Sequence, residues 1–282
     1  SDALRATQKA LSEHPDRPLF EATFQHDGLL VRCDVLIPTS RGIRMVEVKS
    51  STSVKPYHVD DCAIQTWVLQ QNNIRVAATE LAHIDTGFVY QGDGNYHGLF
   101  HHEKLDDDIE SLIEQVPDWI ADARTVLANS EPDILPGSQC DDPFECPFKA
   151  HCHQHIAMEP EPEYPLSVFY RMSGATIETL RAKGHTDART VPEEYLNHTQ
   201  RWIQRVSQSG KYELDTTASQ ILAAYPYPRY YLDFETIALA VPRWAHTSPY
   251  RTQVPFQWSC HIEYKNGEQE FSTLEHSMFL HV

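Results

Sequence analysis

Alternating apolar and polar positions between residues 19 and 49 predict three consecutive β-strands. The segment PLFEATFQHDGLLVRCDVLIP contains two of them, and GIRMVEVKSS contains the third. His26-Asp27-Gly28 and Ser40-Arg41-Gly42 are turn-forming sequences that separate the strands and predict two hairpins. The pattern therefore predicts that the early part of the chain forms one sheet.

Apolar positions at helical spacing predict helices over residues 1–14, in HVDDCAIQTWVLQQNN and in DDDIESLIEQVPDWIADARTVLAN, the last interrupted at Pro117. A strand is expected near HIDTGFVY. Residues 166–225 predict short helices, and RYYLDFETIAL and FQWSCHIEY predict a return to strands. Together these elements predict an α/β fold. His97, His101 and His102, in YHGLFHHEK, are expected to be surface or capping residues.

The stretch MEPEPEYP, residues 158–165, is rich in Pro and Glu and is typical of a linker. It suggests three parts: residues 1–157, a linker with a small helical connector over 158–225, and residues 226–282. No segment approaches the ~18 uninterrupted apolar residues of a membrane helix, and no secretory signal opens the chain. We expect a soluble, cytoplasmic protein with no membrane partner, trimmed from a longer one because it begins with Ser1 rather than Met.

The net charge of −17 argues against nucleic-acid binding only if the acidic residues are spread evenly. Residues 1–75 carry nine Lys/Arg and nine Asp/Glu, whereas residues 76–165 carry three and nineteen. The acidic excess is therefore concentrated in the middle of the chain, and a nucleic-acid substrate for the first segment remains open.

Three charged residues lie in neighbouring strands where unpaired burial would be costly: Asp34, Glu47 and Lys49. Glu47 and Lys49 are two residues apart and share one face of their strand. Two carboxylates and the Val48 carbonyl would suit Mg²⁺ or Mn²⁺, and Lys49 could stabilise charge on a phosphodiester in its transition state. The alternative is an amphipathic hairpin with a solvated polar face. Glu21 on the preceding strand and Gln65 on the following helix favour the site.

The segment FEATFQHDGLLVRCDVLI…MVEVKSSTSVKPYHVDDCAIQTWVL resembles the RecB-type PD-(D/E)XK nucleases, including the CRISPR-adaptation exonucleases. The resemblance implies a restriction-endonuclease-like mixed sheet flanked by helices. It also implies that Asp34, Glu47 and Lys49 are the core catalytic set, joined by Gln65 on the helix and Glu21 on the first strand. The aromatic residue that often follows the Gln is here Leu69, a departure from the pattern.

Three cysteines follow at even spacing in the Pro-rich loop CDDPFECPFKAHC: Cys140, Cys146 and Cys152. Three close thiols suit an iron–sulfur cluster or zinc better than structural disulfides. A zinc site of three cysteines could be completed by His151, His153 or His155. Thiols without metal are a third possibility. The RecB-type resemblance favours a [4Fe–4S] cluster, whose fourth Cys is not evident here, since neither Cys33 nor Cys62 looks placed to serve.

A second acid pair, Asp233 and Glu235, lies on one face of the predicted strand YYLDFETIAL. The alternative is a strand with one solvated face, but LDFET resembles the first motif of DnaQ-like exonucleases of the ribonuclease-H fold. That resemblance implies metal binding by both acids and the start of a ribonuclease-H-like domain, as in uncharacterised bacterial proteins that join the two nuclease types. No Asp follows Asp233, so we expect this second site to be incomplete or inactive.

These observations lead to one expected function and two rivals. We expect a Mg²⁺- or Mn²⁺-dependent deoxyribonuclease, an exonuclease by resemblance, with DNA ends as substrate and a structural iron–sulfur cluster. The first rival is a catalytically degenerate nucleic-acid-binding module, which would keep its affinity without divalent metal. The second is a zinc-stapled scaffold, which would show no salt-dependent DNA binding.

Overall fold

The computed structural model describes residues 2–154 and 162–275. They form two compact units. Unit 1 combines residues 2–134 with 230–261 and 270–275. Unit 2 combines the described residues of 135–229 with 262–269. Three predictions lie wholly or partly outside the described residues, namely His155 as a zinc ligand, positions 158–161 of the linker and positions 276–282 of the third domain. The three-part division of the chain stays a prediction.

The described residues contain eight strands and seven α-helices. The strands are β1 Leu19–His26, β2 Leu29–Thr39, β3 Gly42–Lys49, β4 Val76–Ile84, β5 Phe100–Lys104, β6 Arg229–Ile237, β7 Val254–Glu263 and β8 Gln269–Glu275. The α-helices are α1 Asp2–Glu13, α2 Pro56–Gln71, α3 Asp106–Ala128, α4 Lys149–Gln154, α5 Gly174–Ala182, α6 His198–Ser209 and α7 Ala218–Ala223. Short 3₁₀ turns lie at Ser138–Cys140, Leu166–Val168, Ala188–Thr190 and Glu193–Tyr195.

Unit 1 is built on a five-stranded mixed sheet in the order β1-β2-β3-β4-β5. The two predicted hairpins are confirmed, because β1 pairs antiparallel with β2 and β2 antiparallel with β3. β3 and β4 are parallel, which requires the crossover that α2 provides. The predicted strand near HIDTGFVY was placed too late, since β4 ends at Ile84, and the edge strand β5 was not predicted. The α/β class is confirmed; the restriction-endonuclease-like assignment is finer and stays a prediction.

Helix α2 forms because Pro56 begins it, with φ already suited to a first helical turn. Lys55 caps it, and its backbone N–H donates to Nδ1 of His58 at 3.1 Å. The helix buries an unusually mixed face that contains both apolar side chains and Gln65. The apolar part packs with the sheet and α3 into the core of unit 1, which includes Cys33, Met45, Cys62, Val68, Leu69, Leu81, Ile109 and Val116.

Helix α3 corrects the expectation of an interruption at Pro117, because it runs unbroken from Asp106 to Ala128. Proline removes one helical hydrogen bond and crowds the preceding turn. Packing on both sides of Pro117 offsets this: Val116 is buried in the core and Trp119 is partly buried against it. Tertiary contacts therefore outweigh the local preference to break.

The core position Leu69 offers a direct test of this packing. Its side chain is 0% exposed, whereas Leu127 on the surface of α3 is 86% exposed. We expect Leu69→Ala to lower the free energy of unfolding by about 2–5 kcal/mol, because it removes buried surface and leaves a cavity. The matched control Leu127→Ala should stay within about 0.5 kcal/mol of the parent. Urea unfolding measures both, and equal losses would contradict the assignment of α2 to the core.

A separate three-stranded antiparallel sheet is formed by β6, β7 and β8. The loop between β6 and β7 belongs to unit 1. Backbone hydrogen bonds join it to the rest of that unit. The Tyr90 N–H donates to the Thr247 carbonyl at 3.0 Å, and the His246 N–H donates to the Tyr90 carbonyl at 2.7 Å. The Tyr250 hydroxyl donates to the Ser50 carbonyl at 2.7 Å. This loop therefore reaches the residue that follows Lys49.

Unit 2 is largely helical, as the pattern over residues 166–225 predicted. It has its own core of Leu166, Phe169, Leu180, Ala188, Val191 and Leu196. The buried side chain of Gln204 ties this core to the backbone by donating to the carbonyls of Ala188 at 2.8 Å and Val191 at 2.7 Å. In the part of the chain that the structure describes, no helix is both long and apolar enough to cross a bilayer.

Candidate active site

Asp34 lies where the ladders around β2 are interrupted. On the β1 side, regular pairing skips Glu21 and Asp34 and resumes beyond them in the same register. On the β3 side, the pairing begins only at Val35 opposite Val46. In place of a ladder bond, Oδ2 of Asp34 accepts a hydrogen bond from the Val48 N–H at 2.8 Å. The side chain of Asp34 is thus fixed against β3 beside Glu47 and Lys49.

Glu47 is the centre of a hydrogen-bonded group that joins β3 to α2. It is 5% exposed. Its Oε1 accepts from Nζ of Lys49 at 2.6 Å, and its Oε2 accepts from Nε2 of Gln65 at 2.9 Å. Three of the residues singled out from the sequence therefore meet in space: Glu47, Lys49 and Gln65.

Asp61 is a fourth member of this group that the sequence analysis missed. Its Oδ2 accepts from Nζ of Lys49 at 2.9 Å, and its Oδ1 accepts from Nε2 of Gln65 at 3.2 Å. The available signal was its position four residues before Gln65 on one helix, a spacing that places two side chains on the same face. Asp61 is thus the second carboxylate that binds Lys49. Glu47, Lys49, Asp61 and Gln65 form a closed ring of hydrogen bonds.

The pKa values of the two charged residues on β3, Glu47 and Lys49, are both raised, but for different reasons. Burial raises the pKa of Glu47, and the neighbouring Asp34 adds to the rise, while the hydrogen bonds from Lys49 and Gln65 oppose it. For Lys49, burial acts to lower the pKa, but the hydrogen bonds to Glu47 and Asp61 outweigh it and the pKa of Lys49 is raised. Lys49 therefore stays protonated near neutral pH and acts as a fixed cation rather than as a base.

Gln65 carries an unsatisfied acceptor. Its Nε2 donates to Glu47 and Asp61, but its Oε1 is buried without a partner, and among the described residues no other buried side-chain nitrogen or oxygen is left so. An unpaired buried acceptor costs about 1–3 kcal/mol. Folded proteins retain such atoms where a bound group completes them or where strain serves function.

Glu21, the fifth predicted catalytic residue, makes a different contact. An ion pair with Arg32, Nε to Oε2 at 2.9 Å, holds its carboxylate, and both side chains are more than half exposed. Its φ of 56° is in the left-handed region, which costs energy for a non-glycine residue. It lies level with Asp34 across the interrupted ladder but outside the hydrogen-bonded group around Glu47.

Two cysteines, Cys33 and Cys62, lie in the core of unit 1 and are 0% exposed. Burial raises the pKa of Cys33 to about 12, with Glu47 and Asp34 adding to the rise, and burial likewise raises the pKa of Cys62. Both therefore remain protonated thiols that pack as small apolar groups. This agrees with the expectation that neither is placed as a cluster ligand.

The three predicted cluster ligands all belong to unit 2. Cys140 is buried, whereas Cys146 and Cys152 are half-buried. The Cys146 N–H donates to the Cys140 carbonyl at 2.8 Å, and Cys152 lies on the short helix α4. In the described part of the chain, the three cysteine sulfurs do not form a group in which all ligand atoms lie within 4.8 Å of one another. A single zinc ion would need such convergence, whereas a four-iron cluster binds each thiolate at a different iron.

The second acid pair lies on β6 of the three-stranded sheet, and both Asp233 and Glu235 are exposed. Oδ1 of Asp233 accepts from the N–H of Phe234 at 3.0 Å. Several apolar side chains of the same strand are also more than half exposed, among them Tyr230, Leu232 and Phe234. Metal binding by this pair stays a prediction.

Comparison with known proteins gives a family match for the C-terminal segment and a structural match at low identity. Residues 230–282 match the family described as a domain of unknown function (DUF2779). The chain also matches the crystal structure of SSO0001 at 16% identity, with a TM-score of 0.22 and 47% of this chain covered. The chain spans 61% of the length of that protein. No curated protein matches the chain. The C-terminal 230–282 segment is thus similar to one family of unknown function.

Proposed function

We propose that unit 1 is a metal-dependent nuclease that hydrolyses phosphodiester bonds of DNA. The observation that carries the proposal is the buried Glu47, held between Lys49 and Gln65 beside the fixed carboxylate of Asp34. A purely structural hairpin has no need to bury a carboxylate whose pKa is raised by that burial. The resemblance to RecB-type nucleases supports DNA as substrate and attack from DNA ends.

The residues present fit a hard divalent cation. Asp34 and Glu47 supply carboxylate oxygens, the ligand type that Mg²⁺ and Mn²⁺ prefer, and the Val48 carbonyl is the predicted third ligand. The buried, unpartnered Oε1 of Gln65 provides a further oxygen that a bound group could satisfy. When bound, the cation would supply Lewis-acid polarisation of the scissile phosphate.

The side chains of this site have separate roles in the proposed reaction. Lys49 contributes a positive charge that is positioned by two carboxylates before substrate arrives, so it can stabilise the charge that develops on the phosphate. Gln65 orients Glu47 through its amide, and the Val48 N–H orients Asp34. Asp61 acts through Lys49 and Gln65 and is therefore a positioning residue.

We further propose that Cys140, Cys146 and Cys152 hold an iron–sulfur cluster in unit 2. Three thiols that are buried or half-buried on one short segment fit this chemistry. The RecB-type resemblance favours an iron–sulfur cluster over zinc. The group would have a structural role, since these thiols belong to the compact unit that is otherwise held by a small apolar core.

Digestion of labelled single- and double-stranded DNA with Mn²⁺ tests the proposed activity. We expect Asp34→Asn to lower the rate at least about 100-fold, because one of two metal-binding carboxylates is lost. The matched control is Asp118→Asn, an exposed acid on α3, which should keep the parent rate. A parent that binds DNA but cuts at no metal concentration would instead support the degenerate binding module. Equal cutting by parent and Asp34→Asn would remove the site assignment.

A further inference from the structure

A second group of ligand-type side chains lies on the same sheet, towards its β5 edge. Nitrogen atoms of His83 and His101 and a carboxylate oxygen of Glu103 all lie within 4.8 Å of one another. His83 is buried on β4, and His101 and Glu103 come from the edge strand β5. Neither histidine belongs to the group around Glu47, and the expectation that His101 is an ordinary surface residue leaves this convergence unexplained.

The strand register places this group on the face that carries the candidate active site. His83 pairs with Lys49 across the parallel β3–β4 ladder, and His101 pairs with His83 across the antiparallel β4–β5 ladder. Directly paired residues project to the same side of a sheet. Lys49 and the two histidines therefore form one row across three strands, from the candidate active site to the edge.

The hydrogen bonding of His83 suits a metal ligand. Its Nδ1 lies 3.3 Å from the Ile84 carbonyl, and its Nε2 lies 3.0 Å from Oε1 of Glu103. Both ring nitrogens thus face oxygen acceptors, although a neutral imidazole has only one N–H. If Nδ1–H donates to the carbonyl, the lone pair of Nε2 points at a carboxylate, and a cation bound by both groups resolves the conflict. A backbone carbonyl at the other ring nitrogen is the usual support for a metal-bound histidine.

A simple His–Glu ion pair is the alternative, with His83 carrying both protons. It would explain the 3.0 Å contact between Nε2 and Glu103. It would not explain His101. The ring centroid of His101 is 5.2 Å from that of His83, and a His101 nitrogen lies within 4.8 Å of the ligand atoms of both His83 and Glu103. The ion pair gives the second imidazole no role, whereas a metal ion would take it as a further ligand.

We propose that His83, His101 and Glu103 form a binding site for a divalent transition-metal ion of the zinc class. Two imidazoles and one carboxylate suit such ions, whereas the all-oxygen ligands of Asp34 and Glu47 suit Mg²⁺ or Mn²⁺. Three protein ligands leave a coordination position open. The group is accessible to solvent, because the Glu103 side chain is 44% exposed and His101 is also exposed.

Cobalt and zinc titrations of the metal-free full chain test this site without any nuclease assay. Cobalt bound by imidazole and carboxylate gives visible absorption without the near-ultraviolet thiolate charge transfer that the cysteine loop would produce. We expect the parent to show a thiolate-free cobalt band and to bind zinc, measured by competition with a chromogenic chelator. His101→Ala should remove the band and weaken that zinc binding at least about 10-fold, because it removes a direct ligand.

The control is His97→Ala, an exposed histidine in the preceding loop, which should leave both readouts unchanged. Glu103→Gln serves as a second variant, and circular dichroism checks that each one is folded. A parent without a thiolate-free band would overturn the proposal. So would an equal band in parent and His101→Ala, because cobalt would then be bound at other oxygen or nitrogen ligands. None of these outcomes depends on whether the protein cuts DNA.

Discussion

Lys49→Ala is expected to lower the rate of Mn²⁺-dependent DNA cleavage at least about 100-fold, with DNA affinity changed less than about threefold. The Lys49 ammonium is held by Glu47 at 2.6 Å and Asp61 at 2.9 Å, so its charge is in place before the reaction. Such a charge stabilises the transition state more than the bound substrate. Single-turnover cleavage gives the rate, and binding in Ca²⁺ without cleavage gives the affinity.

The matched control is Lys9→Ala, which removes an exposed lysine of α1 whose side chain is 71% exposed. It should cut DNA as fast as the parent. If Lys49→Ala also cuts as fast, the assignment of Lys49 is wrong. If Lys49→Ala is active and Asp233→Ala is inactive, the working site is the acid pair on β6, and the ranking of the two sites is inverted.

Cys146→Ser is expected to abolish the iron content of anaerobically purified protein. The parent should be brown and contain about four iron atoms per chain, as a [4Fe–4S] cluster requires. A serine hydroxyl is a poor replacement for a thiolate, and Cys146 is half-buried beside Cys140 on the same segment. Elemental analysis and the visible absorption spectrum measure the loss.

Cys260→Ser is the matched control, because Cys260 is a buried free thiol on β7, away in sequence from the cysteine loop. It should retain iron and colour. A colourless parent without iron would contradict the cluster. One zinc per chain, lost in Cys146→Ser, would then support the zinc alternative.

The sequence was sufficient for features that depend on local pattern. Alternation and turn residues predicted β1 to β3, and the polar residues on β3 and on the helix that follows it led to Glu47, Lys49 and Gln65, which the structure brings together. The strand and helix predictions succeeded because hairpin pairing and helical periodicity act over short distances in the chain. The catalytic roles of the three residues stay predictions.

Features that depend on distant contacts were not predictable in the same way. Pro117 reads locally as a helix break, but core packing around Val116 keeps α3 continuous. The edge strand β5 is short and mostly exposed, so its sequence lacks the apolar alternation of a half-buried strand. His101 becomes notable only once β5 pairs with β4 and places it beside His83.

The pairing of Tyr90 with His246 and Thr247 bears on how the protein is made. The ribosome releases the chain from its N-terminus, and 157 residues separate Tyr90 from Thr247. At synthesis rates of about 5–20 residues per second, the partners of Tyr90 emerge roughly 8–30 s after it does. The five-stranded sheet can form during that interval, but its hydrogen bonds to the loop between β6 and β7 cannot. Unit 1 therefore completes its folding only after residues 135–229 of unit 2 have left the ribosome.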